Sequence, residues 1–220
     1  MFRIAELSLK YPTAEQPFAL SMSSMEFLPG QISLLWGRNG SGKSSIFNAI
    51  CNLIPAHIAG ECQVETYWQD RCLSHLPCPE LFRYIAYLRT DIGDQLLFPT
   101  IDDEITFSLQ NMGLEPEVIR TRLKEAKDFF GLHPLSHRKP EQLSMGQQKI
   151  LLMALIMAMH TPIVFLDEAS AYLSESSLSL CRDFILQLAQ SGKVVLVADH
   201  APKIQDLCHR RINVEEYVHR

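Results

Sequence analysis

The sequence has 220 residues, of which 47% are hydrophobic and 20% charged, with a formal net charge of −5, and this fits one globular domain with a sizeable core. The mildly acidic balance argues against nucleic acid as the main ligand, and no apolar run reaches the roughly 18 residues that a membrane span needs. Because the first residues lack the pattern of a secretory leader, we expect an intracellular protein that reaches a membrane only through a partner.

The N-terminal part of the chain alternates strand patterns with turns. Residues 2–9 and 18–27 are typical of strands, and Pro29-Gly30 marks a turn. Residues 32–36, ISLLW, form the continuous apolar run of a buried parallel strand. A glycine-rich segment follows, and the helical periodicity of residues 43–53 then predicts a helix.

The glycine-rich segment GRNGSGKS matches the phosphate-binding pattern G-x-x-x-x-G-K-[S/T] in full. Its glycines let backbone N–H groups turn toward phosphate oxygens, and the following helix presents its positive end to the same anion. Lys43 can reach the β- and γ-phosphates of ATP, and the Ser44 hydroxyl can ligate Mg²⁺. The alternative, a chance match in a tight turn, is disfavoured by the flanking strand and helix. The expected nucleotide contacts are Gly37, Asn39, Gly40, Ser41, Gly42, Lys43, Ser44 and Ser45.

Strand and helix patterns alternate through the rest of the chain. Strands are predicted at residues 62–68, 83–88, 163–166 and 194–198, and helices within 102–131, 146–159 and 176–190, followed by a short helix and strand. This alternation favours a mostly parallel sheet with helices on both faces. Residues 76–145 are mostly helical, so we expect an inserted helical subdomain there. The nucleotide-binding core then comprises residues 1–75 and 146–220 of a single domain.

An acidic pair, Asp167-Glu168, follows the apolar strand pattern IVFL. Ligands bind α/β sheets at the carboxyl ends of the strands. We therefore expect Asp167 to hold Mg²⁺ through water and Glu168 to polarise the attacking water as a general base. The alternative is a pair that only caps the end of the strand.

Six cysteines are scattered along the chain without a CxxC pair, which predicts free thiols in a reducing compartment. Cys72, His75 and Cys78 have a spacing that could bind zinc. Structural zinc sites usually have four ligands, so a solvated loop is the favoured interpretation of this cluster.

The segment Leu143-Ser144-Met145-Gly146-Gln147-Gln148 resembles the Leu-Ser-Gly-Gly-Gln signature of the ATP-binding subunits of ATP-binding-cassette (ABC) transporters. The resemblance implies an α/β fold: a P-loop NTPase core with a mostly parallel sheet, an N-terminal antiparallel β subdomain and an inserted helical subdomain. It also implies that two subunits sandwich two ATP molecules. Ser144, Gly146 and Gln147 would then contact the nucleotide of the other subunit. Met145 replaces the first glycine of the signature, and we expect function to tolerate it.

Four more positions bear on the resemblance. His200 matches the family's switch histidine, which approaches the γ-phosphate, so with Glu168 and Lys43 it completes the expected catalytic set. Tyr11 matches the aromatic residue that stacks on adenine, although a tyrosine near a strand end is also a common packing residue. Thr90 stands where the family has a glutamine that touches Mg²⁺ and the attacking water. Ser174 stands where it has an aspartate that links the subunits, so both departures leave full hydrolysis open.

The function implied by the resemblance is ATP hydrolysis at a dimer interface, which drives transport through a transmembrane partner at the cytoplasmic face of the membrane. Residues 94–100, DQLLFPT, are similar to a segment of the energy-coupling-factor importers, which take up vitamins or transition-metal ions. One alternative is a degenerate subunit that binds ATP in a heterodimer with weak or no hydrolysis. Another is a soluble ABC ATPase outside transport. Homodimer and heterodimer both remain open.

Overall fold

The computed structural model describes residues 1–11, 18–93 and 95–219. The strands are β1 (Phe2–Tyr11), β2 (Phe18–Phe27), β3 (Ile32–Trp36), β4 (Glu61–Trp68), β5 (Arg71–Cys72), β6 (Ile85–Leu88), β7 (Ile163–Asp167), β8 (Val194–Ala198), β9 (Arg210–Asn213) and β10 (Val218–His219). The α-helices are α1 (Lys43–Ile50), α2 (Cys78–Leu81), α3 (Ile101–Asn111), α4 (Pro116–Phe130), α5 (Met145–Met159), α6 (Glu175–Gln190) and α7 (Pro202–Gln205). No helix among these residues is long and apolar enough to cross a bilayer.

One sheet is antiparallel, with the described strands in the order β10-β2-β1-β4-β5. Strand β1 buries Phe2, Ile4, Leu7 and Leu9, and the change of spacing after Ile4 coincides with a register shift between Ile4 and Glu6. Such a bulge keeps the apolar side chains on one face although their spacing is irregular. The predicted N-terminal antiparallel sheet is confirmed.

The second sheet is parallel, with the order β6-β7-β8-β3-β9. Strands β7 and β8 are buried along their whole length, as continuous apolar runs in a covered parallel sheet should be. The carboxyl ends of β3, β7 and β8 lie side by side at one edge. The phosphate-binding segment and the acidic pair, which follow β3 and β7, are therefore neighbours.

Apolar side chains join the two sheets through α1. The ring of Phe47 stacks on that of Phe165 with centroids 4.8 Å apart, and the ring of Phe2 lies 6.0 Å from the same Phe165 ring. Helix α1 is thus wedged between the sheets, which fixes the direction of its N-terminal end.

The helical segment packs on the other face of the parallel sheet through α5. Helices α3 and α4 lie against α5, and their buried side chains join its core. Strand β6, within the strand predicted at residues 83–88, lies inside the range 76–145 that we assigned to the mostly helical subdomain, but it pairs with β7 in the parallel sheet. Its apolar residues Ile85, Ala86 and Leu88 are buried there, so the excursion from the sheet begins after Leu88.

Candidate nucleotide-binding site

A pocket of about 1050 Å³ opens beside the segment between β3 and α1. It brings together most of the residues that the sequence predicts for one nucleotide site. The predicted residues that line it are Tyr11, Asn39, Gly40, Ser41, Gly42, Lys43, Ser44, Ser45, Asp167 and Glu168. The pocket is large enough for a nucleotide and joins a polar end to an aromatic end.

The glycines of the loop are required by its shape. Gly42 precedes α1 with φ 100°, and a Cβ there would lie 2.7 Å from Cζ of Phe18. A Cβ on Gly37 would lie 2.7 Å from Oγ of Ser41, which brings the first and last turns of the loop into contact. A larger residue at Gly37 would press on Ser41 across the loop, and one at Gly42 would be strained by the positive φ and would displace the Phe18 ring, so these two glycines allow the tight cradle.

Lys43 folds back over this cradle. Its Nζ donates hydrogen bonds to the carbonyl oxygens of Gly37 at 2.8 Å and Arg38 at 2.9 Å. Burial lowers the pKa of Lys43, and the nearby carboxylates, led by Asp167 and Glu168, oppose that shift. The ammonium is therefore placed between the loop and the acidic residues, where a phosphate group would gain most from it.

The buried hydroxyl of Ser41 is evidence that the cradle fits a phosphate group. Among the described residues, its Oγ is buried without a hydrogen-bond partner. An unpartnered buried hydroxyl is costly unless a ligand or water satisfies it. Together with the N-terminal end of α1, this hydroxyl makes the cradle suited to a phosphate oxygen.

Asp167 and Glu168 face the loop from the end of β7. Asp167 is only 2% exposed, and Tyr87 donates its hydroxyl proton to the Asp167 carboxylate at 3.4 Å. Burial and the Asp167 carboxylate raise the pKa of Tyr87, so the phenol stays protonated as a donor. Glu168 has φ 49°, and its N–H donates to the carbonyl of Ala198 at 2.7 Å. That strained backbone turns the Glu168 side chain into the pocket. The donor set of Ser44 hydroxyl and Asp167 carboxylate suits Mg²⁺.

Tyr11 and Phe18 form the aromatic end of the pocket. Their ring centroids are 5.9 Å apart, and the Tyr11 hydroxyl donates to Ser45 Oγ at 3.2 Å. An aromatic wall of this kind offers a stacking surface for a planar base.

The signature segment begins α5 away from this pocket. Ser144 is the N-cap: its Oγ accepts the N–H of Gln147 at 3.3 Å, and the Gln147 side chain accepts the N–H of Ser144 at 3.0 Å. This reciprocal capping box stabilises the helix start. Ser144 and Met145 are exposed, so the helix N-terminus is open to a ligand from outside the chain.

Comparison with known proteins assigns this arrangement to a family. A sequence model described as ABC transporter matches residues 20–171. The chain belongs to the ABC transporter family. The matched stretch of this ABC chain contains the loop, the signature segment and the acidic pair.

Two similar relatives are named ABC transporter ATP-binding proteins. One, from Methanosarcina acetivorans, is 31% identical over 202 residues, which are 91% of this chain and 38% of the relative. Another, from Treponema denticola, is 26% identical over 217 residues, which are 98% of this chain and 44% of the relative. The ABC chain thus spans about two fifths of the length of these relatives.

Solved structures share the fold. A bacterial ABC transporter cassette solved as a dimer matches with a TM-score of 0.81 at 22% identity, over 100% of this chain and 98% of that chain. The protein cbiO1 from Clostridium perfringens, part of the ABC transporter complex cbiONQ, matches with a TM-score of 0.75 at 20% identity, over 97% of this chain and 86% of that one. The predicted ABC-type α/β architecture is confirmed.

Six predicted site residues of the ABC chain are not among the described residues that line the pocket: Gly37 at the start of the loop, Ser144, Gly146 and Gln147 of the signature segment, and Thr90 and His200. Thr90 is half-buried two residues after β6, and His200 is exposed two residues after β8. Both follow parallel strands at the same sheet edge as Asp167. Their roles toward Mg²⁺ and the γ-phosphate stay predictions. Asp94, in the segment compared with the energy-coupling-factor importers, lies outside the described residues.

The structure also adds pocket residues that the sequence analysis did not name: Phe18, Arg38, Glu215 and Val218. Glu215 and Val218 reach the loop from the far end of the chain, and no local motif marks them. Asp199, the residue before His200, does not line the pocket, but the sequence analysis could have marked it. It is a buried carboxylate directly after the apolar strand pattern that precedes His200. Its carboxylate accepts the N–H and the hydroxyl of Ser170 at 2.9 and 2.6 Å, which anchors the loop after the acidic pair.

Lys149 is a further charged group beneath the site. It is fully buried on α5, and its Nζ donates to the carbonyl of Arg89 at 3.2 Å. Burial lowers its pKa, while Asp167 and Glu168 oppose the shift. Lys149 thus connects the signature helix to the segment that carries Thr90.

The structure does not bring Cys72, His75 and Cys78 together as a metal site. Among the described residues there is no group of three His, Cys, Asp or Glu side chains able to hold a metal ion.

Proposed function

We propose that this chain is the ATP-binding subunit of an ABC transporter and hydrolyses ATP at a dimer interface to drive transport through a membrane partner. The observation that carries the proposal is the pocket in which a complete phosphate-binding loop faces Asp167 and Glu168. Membership of the ABC transporter family supports it.

The chemistry follows from the positions of four side chains. Lys43 would leave the loop carbonyls for the β- and γ-phosphates, while Ser44 and Asp167 would hold Mg²⁺, with Thr90 as an additional candidate. When bound, Mg²⁺ supplies charge neutralisation at the phosphate oxygens. Glu168 accepts a proton from the water that attacks the γ-phosphate in line. Catalysis is thus a matter of positioning and charge stabilisation.

A second ATP-binding domain completes each site. Ser144, Gly146 and Gln147 lie outside the pocket of their own chain, at an exposed helix N-terminus that suits an anion. Two large apolar side chains near this end are exposed, Met145 at 49% and Tyr172 at 61%. We assign this surface to the dimer interface, with His200 approaching the γ-phosphate once the dimer closes. The partner domain is a second copy or a different ABC ATPase.

The transmembrane partner docks at the start of the helical segment. Leu97 is 76% exposed and Phe107 is 41% exposed, while the Phe98 ring lies 4.2 Å from that of Phe107. Glu104 holds this loop by accepting the N–H groups of Leu97 and Phe98, both at 2.8 Å. An apolar patch on a loop held by these two hydrogen bonds fits an apolar helix end of a membrane subunit. The chain then works at the cytoplasmic face of the membrane.

The transporter class that we favour is the energy-coupling-factor type of importer. The support is the sequence of residues 94–100, DQLLFPT, which is similar to a segment of that group. In the structure residues 95–100 form the loop that carries the apolar patch, and a membrane subunit specific to one transporter class would contact this loop.

ATP binding and hydrolysis by the purified chain test the proposal directly. ATP binding by the wild type, together with hydrolysis that falls in a Glu168→Gln variant, is the expected result. Absence of ATP binding would overturn the proposal. Co-purification with a multi-span membrane protein is expected, and co-purification with ribosomes instead would favour a soluble ABC ATPase outside transport.

A second candidate is a degenerate subunit that binds ATP while its partner hydrolyses it. The favouring observation is Ser174, which has no carboxylate and whose Oγ accepts the N–H of Ser177 at 3.3 Å as the N-cap of α6. Thr90 also has a shorter reach than glutamine. ATP binding with equal, residual hydrolysis in the wild type and the Glu168→Gln variant would select this candidate.

A further inference from the structure

One wall of the nucleotide pocket is built by residues 214–219, here called the wall segment. Val214 is fully buried, and the turn Val214–Tyr217 leads into β10, where Val218 pairs with Leu20 of β2. Glu215 and Val218 of this segment line the pocket. A carboxylate therefore stands in the wall of a pocket that we assign to a polyanion.

Glu215 touches the first turn of the phosphate-binding loop. Its Oε1 accepts the backbone N–H of Arg38 at 2.9 Å, and a Cβ on Gly37 would lie 3.5 Å from its Cγ. The Arg38 guanidinium Nε is 3.9 Å from the same oxygen, and the Arg38 side chain is 88% exposed. Because the Arg38 side chain is so exposed, its ion pair with Glu215 neutralises little of the Glu215 charge. The Glu215 side chain is itself 42% exposed, so its charge acts on the pocket through a partly screened interaction that depends on salt.

The same turn also holds Lys43. The ammonium of Lys43 is bonded to the carbonyls of Gly37 and Arg38, while Glu215 is bonded to the N–H of Arg38. One turn of backbone therefore lies between an ammonium and a carboxylate. A negative charge at this place attracts Lys43 toward the turn and repels an incoming phosphate chain, and both effects weaken binding of that chain.

We propose that Glu215 is a specificity-determining residue that weakens nucleotide binding in proportion to the negative charge of the phosphate chain. The inference rests on the proposed function, namely that this pocket binds ATP. Glu215 lowers the affinity for ATP more than for ADP, and that for ADP more than for AMP. It thereby limits the preference of the isolated domain for the triphosphate, so that tight ATP binding depends on the second domain of the dimer.

The test is the substitution Glu215→Gln, which keeps an oxygen that accepts the Arg38 N–H and removes the charge. Dissociation constants for ATP, ADP and AMP are measured by calorimetry at low and at high salt. We expect roughly threefold tighter ATP binding at low salt, a smaller gain for ADP, the smallest gain for AMP, and loss of the gains at high salt.

Glu216→Gln is the matched control. Glu216 is exposed, accepts the Asn213 side-chain amide at 3.3 Å and is not among the described residues lining the pocket. The two variants have the same net charge, so Glu216→Gln should leave all three affinities unchanged. Equal gains in both variants would overturn the inference in favour of a general effect of net charge.

Glu215→Ala separates the charge from the hydrogen bond. Tighter ATP binding in both the Gln and the Ala variant supports the charge role, even if the Ala variant is less stable to heat. Unchanged or weaker ATP binding in Glu215→Gln, with a wild type that binds ATP, overturns the inference alone. A wild type that binds no ATP overturns the proposed function.

Discussion

A Cβ atom on Gly146 would lie 2.8 Å from the carbonyl oxygen of Tyr172, so the first turn of α5 and the loop after β7 meet backbone to backbone. Tyr172 itself has φ 66°, in the left-handed region. Because the nearest atoms are backbone atoms, there is no room between the two segments for an added side chain. The signature segment and the loop that carries Ser174 are thus coupled within one chain.

Gly146→Ala tests this coupling. The added methyl group has to displace backbone, so we expect the free energy of unfolding to fall by about 1–3 kcal/mol and ATP hydrolysis to fall with it. Urea unfolding and a steady-state ATPase assay measure the two effects. Met145→Ala is the control: this side chain is 49% exposed, and its removal should change stability by no more than about 0.5 kcal/mol. Equal stabilities of the two variants would contradict the close contact.

Glu168→Gln separates binding from chemistry. The backbone of Glu168 is fixed by its bond to Ala198, so the amide should take the same place in the pocket. We expect the hydrolysis rate to fall by roughly 10²–10⁴-fold with little loss of ATP affinity, since only the general base is removed. Glu175→Gln, an exposed residue paired with Lys203, should retain the wild-type rate. A rate in Glu168→Gln as high as in this control would refute the assigned role.

The pH dependence of stability should contain a contribution from Lys193. Its Nζ donates to the carbonyl of Thr161 at 2.8 Å, and burial, with a smaller effect of Arg122, lowers its pKa to about 8. Between that pH and the pKa of about 10.5 of an unfolded lysine, the unfolded state binds more protons than the native state. Stability therefore gains a contribution that rises with pH in this window.

Lys193→Met removes that contribution. The difference in free energy of unfolding, wild type minus variant, should increase from pH 8 to pH 10 when measured by urea unfolding. The difference removes other titrating groups that both proteins share. A difference that is flat or falls with pH would show that the lysine keeps an ordinary pKa in the folded protein.

Leu97→Asp tests the assigned membrane-partner surface. Because Leu97 is 76% exposed, its replacement should leave stability and ATP binding unchanged. Association with the membrane subunit should be lost, since a charge would then stand in an apolar contact. Val118→Asp is the control, because Val118 is also exposed, at 39%, but lies on α4. Retained co-purification of the Leu97 variant would place the partner surface elsewhere.

The sequence alone predicted the elements that depend on neighbours along the chain. The apolar runs of β3, β7 and β8 and the loop GRNGSGKS are local patterns, because a buried parallel strand must be apolar throughout and a phosphate loop needs positive φ values. The order strand–loop–helix then located Lys43, Ser44, Asp167 and Glu168 at one edge of a sheet. All four line the pocket.

The order of the strands in the sheet determined contacts between distant segments that the sequence could not predict. The sheet places β9 beside β3, which brings Glu215 to the N–H of Arg38, 177 residues earlier in the chain. The same sheet takes in β6, although helical segments follow it closely, because its apolar residues pair with β7. Pairing between distant segments depends on which buried faces fit together, and no local pattern records it. The sequence by itself therefore determined the phosphate loop and its acidic partners, whereas only the tertiary structure showed that a carboxylate from the far end of the chain shares their pocket.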